Sequence, residues 1–117
     1  MTLFHSDHYI KYLKLVAPGL VESRDEKQKR ESRVRELKAE NEYCIGENDC
    51  PCFPGMFEFS QISCGASIDA AIKLNHKSSD ICINWAGGLH HAKKQSSSGF
   101  CYVNDIVLAI LELLKYH

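Results

Sequence analysis

The sequence predicts an α/β fold organised on a parallel strand, and three observations carry that expectation. Residues Ile81-Cys82-Ile83-Asn84-Trp85 are apolar on successive rather than alternate positions, as in a strand covered on both faces. The run leads into Gly87-Gly88, where the backbone can turn sharply, and then into the adjacent histidines His90 and His91. Helical patterns lie before and after it. Strand, glycine turn and paired imidazoles together resemble a site at the carboxyl end of a parallel strand.

Composition bounds what such a site can belong to. At 117 residues the chain is one domain at most. Its 44% hydrophobic and 25% charged residues are ordinary for a globular protein, which sets aside a disordered or membranous class. A net charge of −1 offers no electrostatic reason for direct nucleic-acid binding. No apolar run approaches the ~18 residues that span a bilayer. Met1 to Asp7 has neither the basic start nor the apolar core of a signal peptide, so an intracellular protein is expected. Cys44, Cys50, Cys52, Cys64, Cys82 and Cys101 contain no C-x-x-C pair and no zinc-finger spacing. Reduced, mostly buried thiols are expected, with Cys82 acting as a small hydrophobe in its apolar run.

In chain order, residues 5–16 read as a short amphipathic helix. Ser6 or Asp7 can cap it, and Tyr9, Leu13 and Val16, with Ile10 beside them, form its apolar stripe. Pro18-Gly19 stops it. His5 and His8 fall on one helical face, but no third ligand is near, so they are expected to be surface or helix-end residues. From Glu22 to Glu40, seven basic residues interleave with six acidic ones, and Val34 and Leu37 are almost the only apolar side chains. Such a stretch predicts a solvated, partly frayed helix that buries little and cannot fix its own position.

Glu42 to Gly55 is loop, because its prolines and glycines break regular structure. A helix follows from Met56, carrying Ile62, Ala66, Ile68, Ala70, Ala71, Ile72 and Leu74, and Asn75-His76 closes it. After the histidines, Gln95 to Gly99 is small and polar. Asn104 or Asp105 then caps a final helix over Ile106 to Lys115 that is apolar nearly all round. One strand with unpaired edges beside so apolar a helix favours association or a molten state over a stable monomer. Neighbouring structure or a partner is expected to cover both.

The run Asn84-Trp85-Ala86-Gly87-Gly88-Leu89-His90-His91-Ala92-Lys93-Lys94, followed by Ser98 to Asp105, closely resembles the class I zinc-dependent histone deacetylases. Ile106 to His117 continues the resemblance. Thr2 to Tyr9, Cys50-Pro51 and Phe57-Glu58-Phe59 match earlier motifs. Residues 22–41 stand outside it and look like a charged helical insertion in a partial domain spanning 1–117. The resemblance implies a fragment of the arginase/deacetylase-type α/β fold, a parallel sheet flanked by helices, of which this chain supplies one strand. It also implies zinc-dependent hydrolysis of N-acetyl-lysine on histones, linked to chromatin silencing in the nucleus and also found in the cytoplasm.

In that family a zinc ion polarises the amide carbonyl and acidifies a bound water, while adjacent histidines handle protons. His90 and His91 stand at those positions, with His91 favoured for proton transfer as base and then acid. Histidine titrates near neutrality, which suits that work. Gly99 and Phe100 match the wall of the acyl-lysine tunnel, where an aromatic face packs on lysine methylenes. Asp49 matches the rim aspartate that accepts hydrogen bonds from the substrate backbone. Counting forward from Gly46 instead selects Asn48, because Glu47-Asn48-Asp49 is one residue longer than the family pattern.

The family's zinc ligands lie in an Asp-x-His segment beyond the matched part and in a later Asp, so no metal ligand is assigned here. The chain is therefore expected to be a truncated family member, inactive by itself. The alternatives are a non-catalytic module that binds a full-length deacetylase or corepressor subunits, and a truncated product with no function of its own. Acetylated histone tails are the substrate partner that the resemblance implies, and no membrane partner is expected.

Overall fold

The computed structural model describes residues 1–17, 22–40, 43–46 and 49–117. Among them are four helices: α1 (Asp7–Val16), α2 (Arg24–Glu40), α3 (Met56–Asn75) and α4 (Asp105–Leu113). Two packings organise them, α1 on α2 and α3 on α4. No helix among the described residues is long and apolar enough to cross a membrane. The expected stop at Pro18-Gly19 lies outside the described residues, as do Glu47, Asn48 and the far end of the expected insertion at position 41.

Helix α1 begins where the sequence allows it. Ser6 is the N-cap, and its hydroxyl accepts the Tyr9 N–H at 3.3 Å. The buried face is Tyr9, Tyr12 and Leu13, so the apolar stripe is broader than a strict reading of aliphatic spacing predicts. Tyr12 belongs to it because its ring stacks on Tyr43, with centroids 4.3 Å apart. The Tyr9 hydroxyl donates to the Tyr102 carbonyl at 2.7 Å, and the Tyr102 hydroxyl donates to the Pro51 carbonyl. Burial raises both phenols, Tyr102 to about 12, so both remain protonated donors. This tyrosine-rich core ties α1, residues 43–46 and 49–53, and the segment before α4 together.

Three expectations about these elements change. The charged α2 does fix its position. Arg30 grips Glu22 through Nε–Oε1 at 2.8 Å and Nη2–Oε2 at 3.2 Å, and its Nη1 donates to the Val16 carbonyl at the end of α1. Val34 and Leu37 pack partly buried against the core. Two apolar side chains and one forked guanidinium therefore hold a helix that net composition describes as solvated.

His5 is the second correction. It stands at the helix end, just before the N-cap, as one of the two expected placements has it, but it is not on the surface: it is only 1% exposed. Its Nε2 accepts the main-chain N–H of Asn104 at 3.0 Å, which joins the amino-terminal turn to the start of α4. Burial holds the imidazole below the ordinary histidine value of 6.5. The neutral ring is the form that the fold binds, so its contribution to stability is complete above about pH 6.5 and is lost as pH falls through the lower, folded-state value. The urea midpoint of the wild-type chain is expected to drop on acidification below neutrality more steeply than that of His5→Gln. Equal slopes for the two would remove His5 from the acid response.

Third, only one side of Ile81–Trp85 is covered. Ile81, Ile83 and Trp85 are 80%, 65% and 91% exposed, whereas Cys82 and Asn84 are half-buried toward α3 and α4. No main-chain hydrogen bond pairs Ile81, Cys82 or Ile83 with another segment among the described residues. Ile81–Trp85 therefore forms no regular strand among the described residues, and the sheet expected from the sequence is not seen there; only the alternation of exposed and half-buried side chains is.

Helix α3 buries Ser60, Ser63, Cys64, Ser67 and Ala71, while Ile62 stays 73% exposed. Its packed face is small and hydroxylated because that face meets α4 and the turn after Trp85. Helix α4 is capped by Asn104, not Asp105; the Asn104 side chain accepts the Val107 N–H at 3.1 Å. Leu108 is buried, and Ile106, Ile110 and Leu114 are 37%, 47% and 61% exposed.

Candidate active site around the paired histidines

The turn that carries the histidines is held from both helices. Asn84 donates through Nδ2 to the Ser63 carbonyl at 2.9 Å and to the Ser67 hydroxyl at 2.8 Å, and its Oδ1 accepts the Ala86 N–H at 3.1 Å. Ser63 in turn donates to the Ala86 carbonyl. Gly87 then closes a turn by donating to the Asn84 carbonyl at 3.2 Å, and the His90 N–H returns to the Gly88 carbonyl at 2.9 Å across a γ-turn. Gly88 has φ +89, a conformation that favours glycine.

The outcome is a pair of exposed imidazoles whose ring centroids are 4.2 Å apart and inclined by 50°. Their main chain is clamped from α4. Asn104 Nδ2 donates to the His90 carbonyl at 3.3 Å and to the Ala92 carbonyl at 3.0 Å, one on each side of His91. Asp105 Oδ1 accepts the Leu89 N–H at 2.7 Å, and Oδ2 accepts the Gly88 N–H at 3.1 Å. Neither residue stands out in the sequence as part of a site, because Asn-Asp before an apolar run is read as helix capping.

The second wall comes from a two-residue hairpin. Ser98 and Cys101 form an antiparallel bridge, with N–H to carbonyl distances of 3.1 and 2.8 Å. Gly99 and Phe100 sit at its tip with φ +52 and +61, the signs that a type I′ turn requires. Positive φ is uncommon for a bulky residue such as phenylalanine, and local strain of this kind gathers at functional sites. It leaves the Phe100 ring 68% exposed. Gly99 lies against the His91 ring; a Cβ there would stand 2.7 Å from His91 Cγ. The candidate residues His90, His91 and Gly99 are therefore one cluster, with Phe100 beside it.

Asp49 is exposed on the preceding loop. Its Oδ1 accepts from the Cys50 thiol at 3.5 Å. Burial pushes that thiol up, and no hydrogen bond among the described residues joins Asp49 to the histidine cluster. Asn48, the alternative rim residue, is outside the described residues. All six cysteines are free thiols, three of them buried.

A zinc site does not assemble from these parts. No three His, Cys, Asp or Glu side chains among the described residues are grouped to hold a metal. Asp105, the carboxylate nearest in sequence after the pair, is 2% exposed and has both oxygens occupied by hydrogen-bond donors.

The family described as Histone deacetylase domain matches residues 1–117. The chain is 55% identical over its full length to Histone deacetylase 1 of Homo sapiens, of which it covers 22%. It is 52% identical to Histone deacetylase HDAC1 of Drosophila melanogaster and 56% identical to Type-1 histone deacetylase 1 of Dictyostelium discoideum, again over its whole length, covering 20% and 21% of them. The chain thus spans about a fifth of the length of the curated relatives it matches. That family carries the arginase/deacetylase-type fold. The chain belongs to the histone deacetylase family, in its class I branch.

Proposed function

We propose that this chain supplies the proton-handling wall of a zinc-dependent site that hydrolyses N-acetyl-lysine on histone tails, in the nucleus and in the service of chromatin repression. The observation that carries the reading is the side-by-side exposed pair His90–His91, with the His91 ring lying against Gly99. His91 takes the proton from the attacking water and returns it to the departing lysine amine, and His90 supports the charge that develops. Gly99 and Phe100 flank the lysine methylenes, and Asp49 accepts hydrogen bonds from the substrate main chain. Ile81–Trp85 serves as one strand of the domain's parallel sheet, which would cover its bare face. In this reading the chain contributes the proton chemistry and the substrate contacts of the site.

The test places residues 1–117 in the matching segment of the human relative and measures acetate release from an acetyl-lysine peptide. Turnover is expected, and His91→Ala is expected to lower it by about 10²–10⁴-fold, the usual contribution of a general acid–base. A folded chimera whose turnover ignores His91→Ala would overturn the reading. One observation favours a second reading, a non-catalytic module that binds a full-length deacetylase or a corepressor subunit: the bare row of Ile81, Ile83 and Trp85. Stable co-purification with such a subunit and an inactive chimera would select it.

A further inference from the structure

Helix α4 opens with a carboxylate that faces away from its own helix. Asp105 is 2% exposed, yet it is not the cap, since Asn104 fills that role. It has no ion-pair partner among the described residues. A buried carboxylate needs compensation, and three donors provide it: the Ser67 hydroxyl at 2.6 Å and the main-chain N–H groups of Gly88 and Leu89. Two of those donors are successive peptides immediately before His90. We propose that Asp105 is the positioning residue for the His90–His91 pair, acting through the Gly88 and Leu89 main chain. Its importance for catalysis rests on the role proposed above for those histidines.

The surroundings favour this over a generic packing role. Gly87 has no room for a side chain, because a Cβ would meet Asp105 Oδ2 directly and would stand 2.8 Å from Asn84 Nδ2 and 3.0 Å from Ser67 Oγ. The turn is thus drawn down onto the carboxylate until backbone and carboxylate touch. Ser67 fixes Oδ2 from α3 while α4 carries the Cα, so the acceptor is braced by two packed helices. Charge-assisted bonds to consecutive N–H groups set the direction of both peptide planes. Those planes determine where the next two side chains leave the backbone. Among the described residues no hydrogen bond joins Asp105 to either imidazole, so it acts through the backbone.

The experiment uses the full 117-residue chain and nuclear magnetic resonance. It reads amide exchange at Gly88 and Leu89 and the cross-relaxation between the His91 ring and Gly99 Hα. Asp105→Asn keeps one oxygen for Leu89 but turns a nitrogen toward Gly88 and Ser67. Gly88 exchange is expected to accelerate at least tenfold, and the His91–Gly99 signal to fall by half or more. The control is Asn75→Ala, which removes the other side-chain link from α3 to α4, Asn75 Nδ2 to the Glu112 carbonyl at 2.9 Å. It is expected to lower the denaturation midpoint and leave the histidine signals in place.

Unchanged exchange and an unchanged His91–Gly99 signal in Asp105→Asn would overturn the proposal, as would an equal disturbance in Asn75→Ala. If Asp105→Asn does not fold, Ser67→Ala decides: a smaller change in the same direction supports the proposal and no change overturns it. In the chimera, Asp105→Asn is expected to reduce kcat with little change in KM. Loss of histidine order in Asp105→Asn with acetate release indifferent to His91→Ala would sink the functional reading and leave the positioning role standing.

Discussion

Gly87→Ala is expected to destabilise the chain by about 1–3 kcal/mol through overpacking alone. The cause is space and not backbone conformation, since Gly87 does not have positive φ. The added methyl group would share its position with Asp105 Oδ2 and crowd Asn84 Nδ2 and Ser67 Oγ. None of these is the free end of a flexible chain, because each is held by hydrogen bonds from α3, α4 or the turn itself. Gly88→Ala offers a contrast. Nothing lies within 4 Å of its ideal Cβ, but φ is +89, so its cost is conformational, about 1 kcal/mol. Chemical denaturation of Gly87→Ala, Asp105→Ala and the double variant checks the origin. Shortening Asp105 vacates the contested space, so the two losses should fail to add by about 0.5–3 kcal/mol. Simple additivity would show that the clash is relieved elsewhere.

Much of the helical framework was legible in the sequence because it depends on local signals. Ser6 before an amphipathic run, Gly55 before Met56 and Asn104 before an apolar run all mark helix starts that the structure keeps. Hydrophobic periodicity is only partly right on α3: Ala71 is buried as expected, but Ile62 is exposed and Ser60, Ser63 and Ser67 share the buried face with Met56 and Cys64. That face must supply hydroxyls to Ala86 and Asp105, so polarity is required where periodicity expects apolar side chains. His5 was hidden for a related reason. Its partner is a main-chain N–H almost a hundred residues away, and nothing in local spacing reports such a bond.

The site divides the same way. His90-His91 and Gly99-Phe100 are visible as motifs because their chemistry is written in residue type. Their contact is not visible, since it depends on a hairpin tip with two positive φ values folding Gly99 onto His91. Asn104 and Asp105 were seen and assigned to helix capping. One of them does cap, and both also hold the loop, because an N-cap packed against a turn presents its side chains to that turn as well as to its own helix.

That double use makes Asn104 the position where capping and clamping can be separated. Asn104→Ala removes the acceptor for Val107 and both donors to the His90 and Ala92 carbonyls. Loss of a cap costs about 0.5–2 kcal/mol and a buried carbonyl left unpaired about 1–3 kcal/mol. Ala92 is only 3% exposed, so water cannot readily replace the lost donor there, and a total of about 2–4 kcal/mol is expected. Asn104→Asp keeps an oxygen for Val107 but turns an acceptor toward two carbonyls. Helix α4 should therefore persist in circular dichroism, while the denaturation midpoint falls and amide exchange quickens across 90–92. The main-chain bond from residue 104 to His5 survives in both variants, because it uses no Asn104 side-chain atom. If Asn104→Asp matched the wild type in midpoint and exchange, the clamp would carry no energy and the histidine loop would be held by Asp105, Asn84 and Ser63 without it.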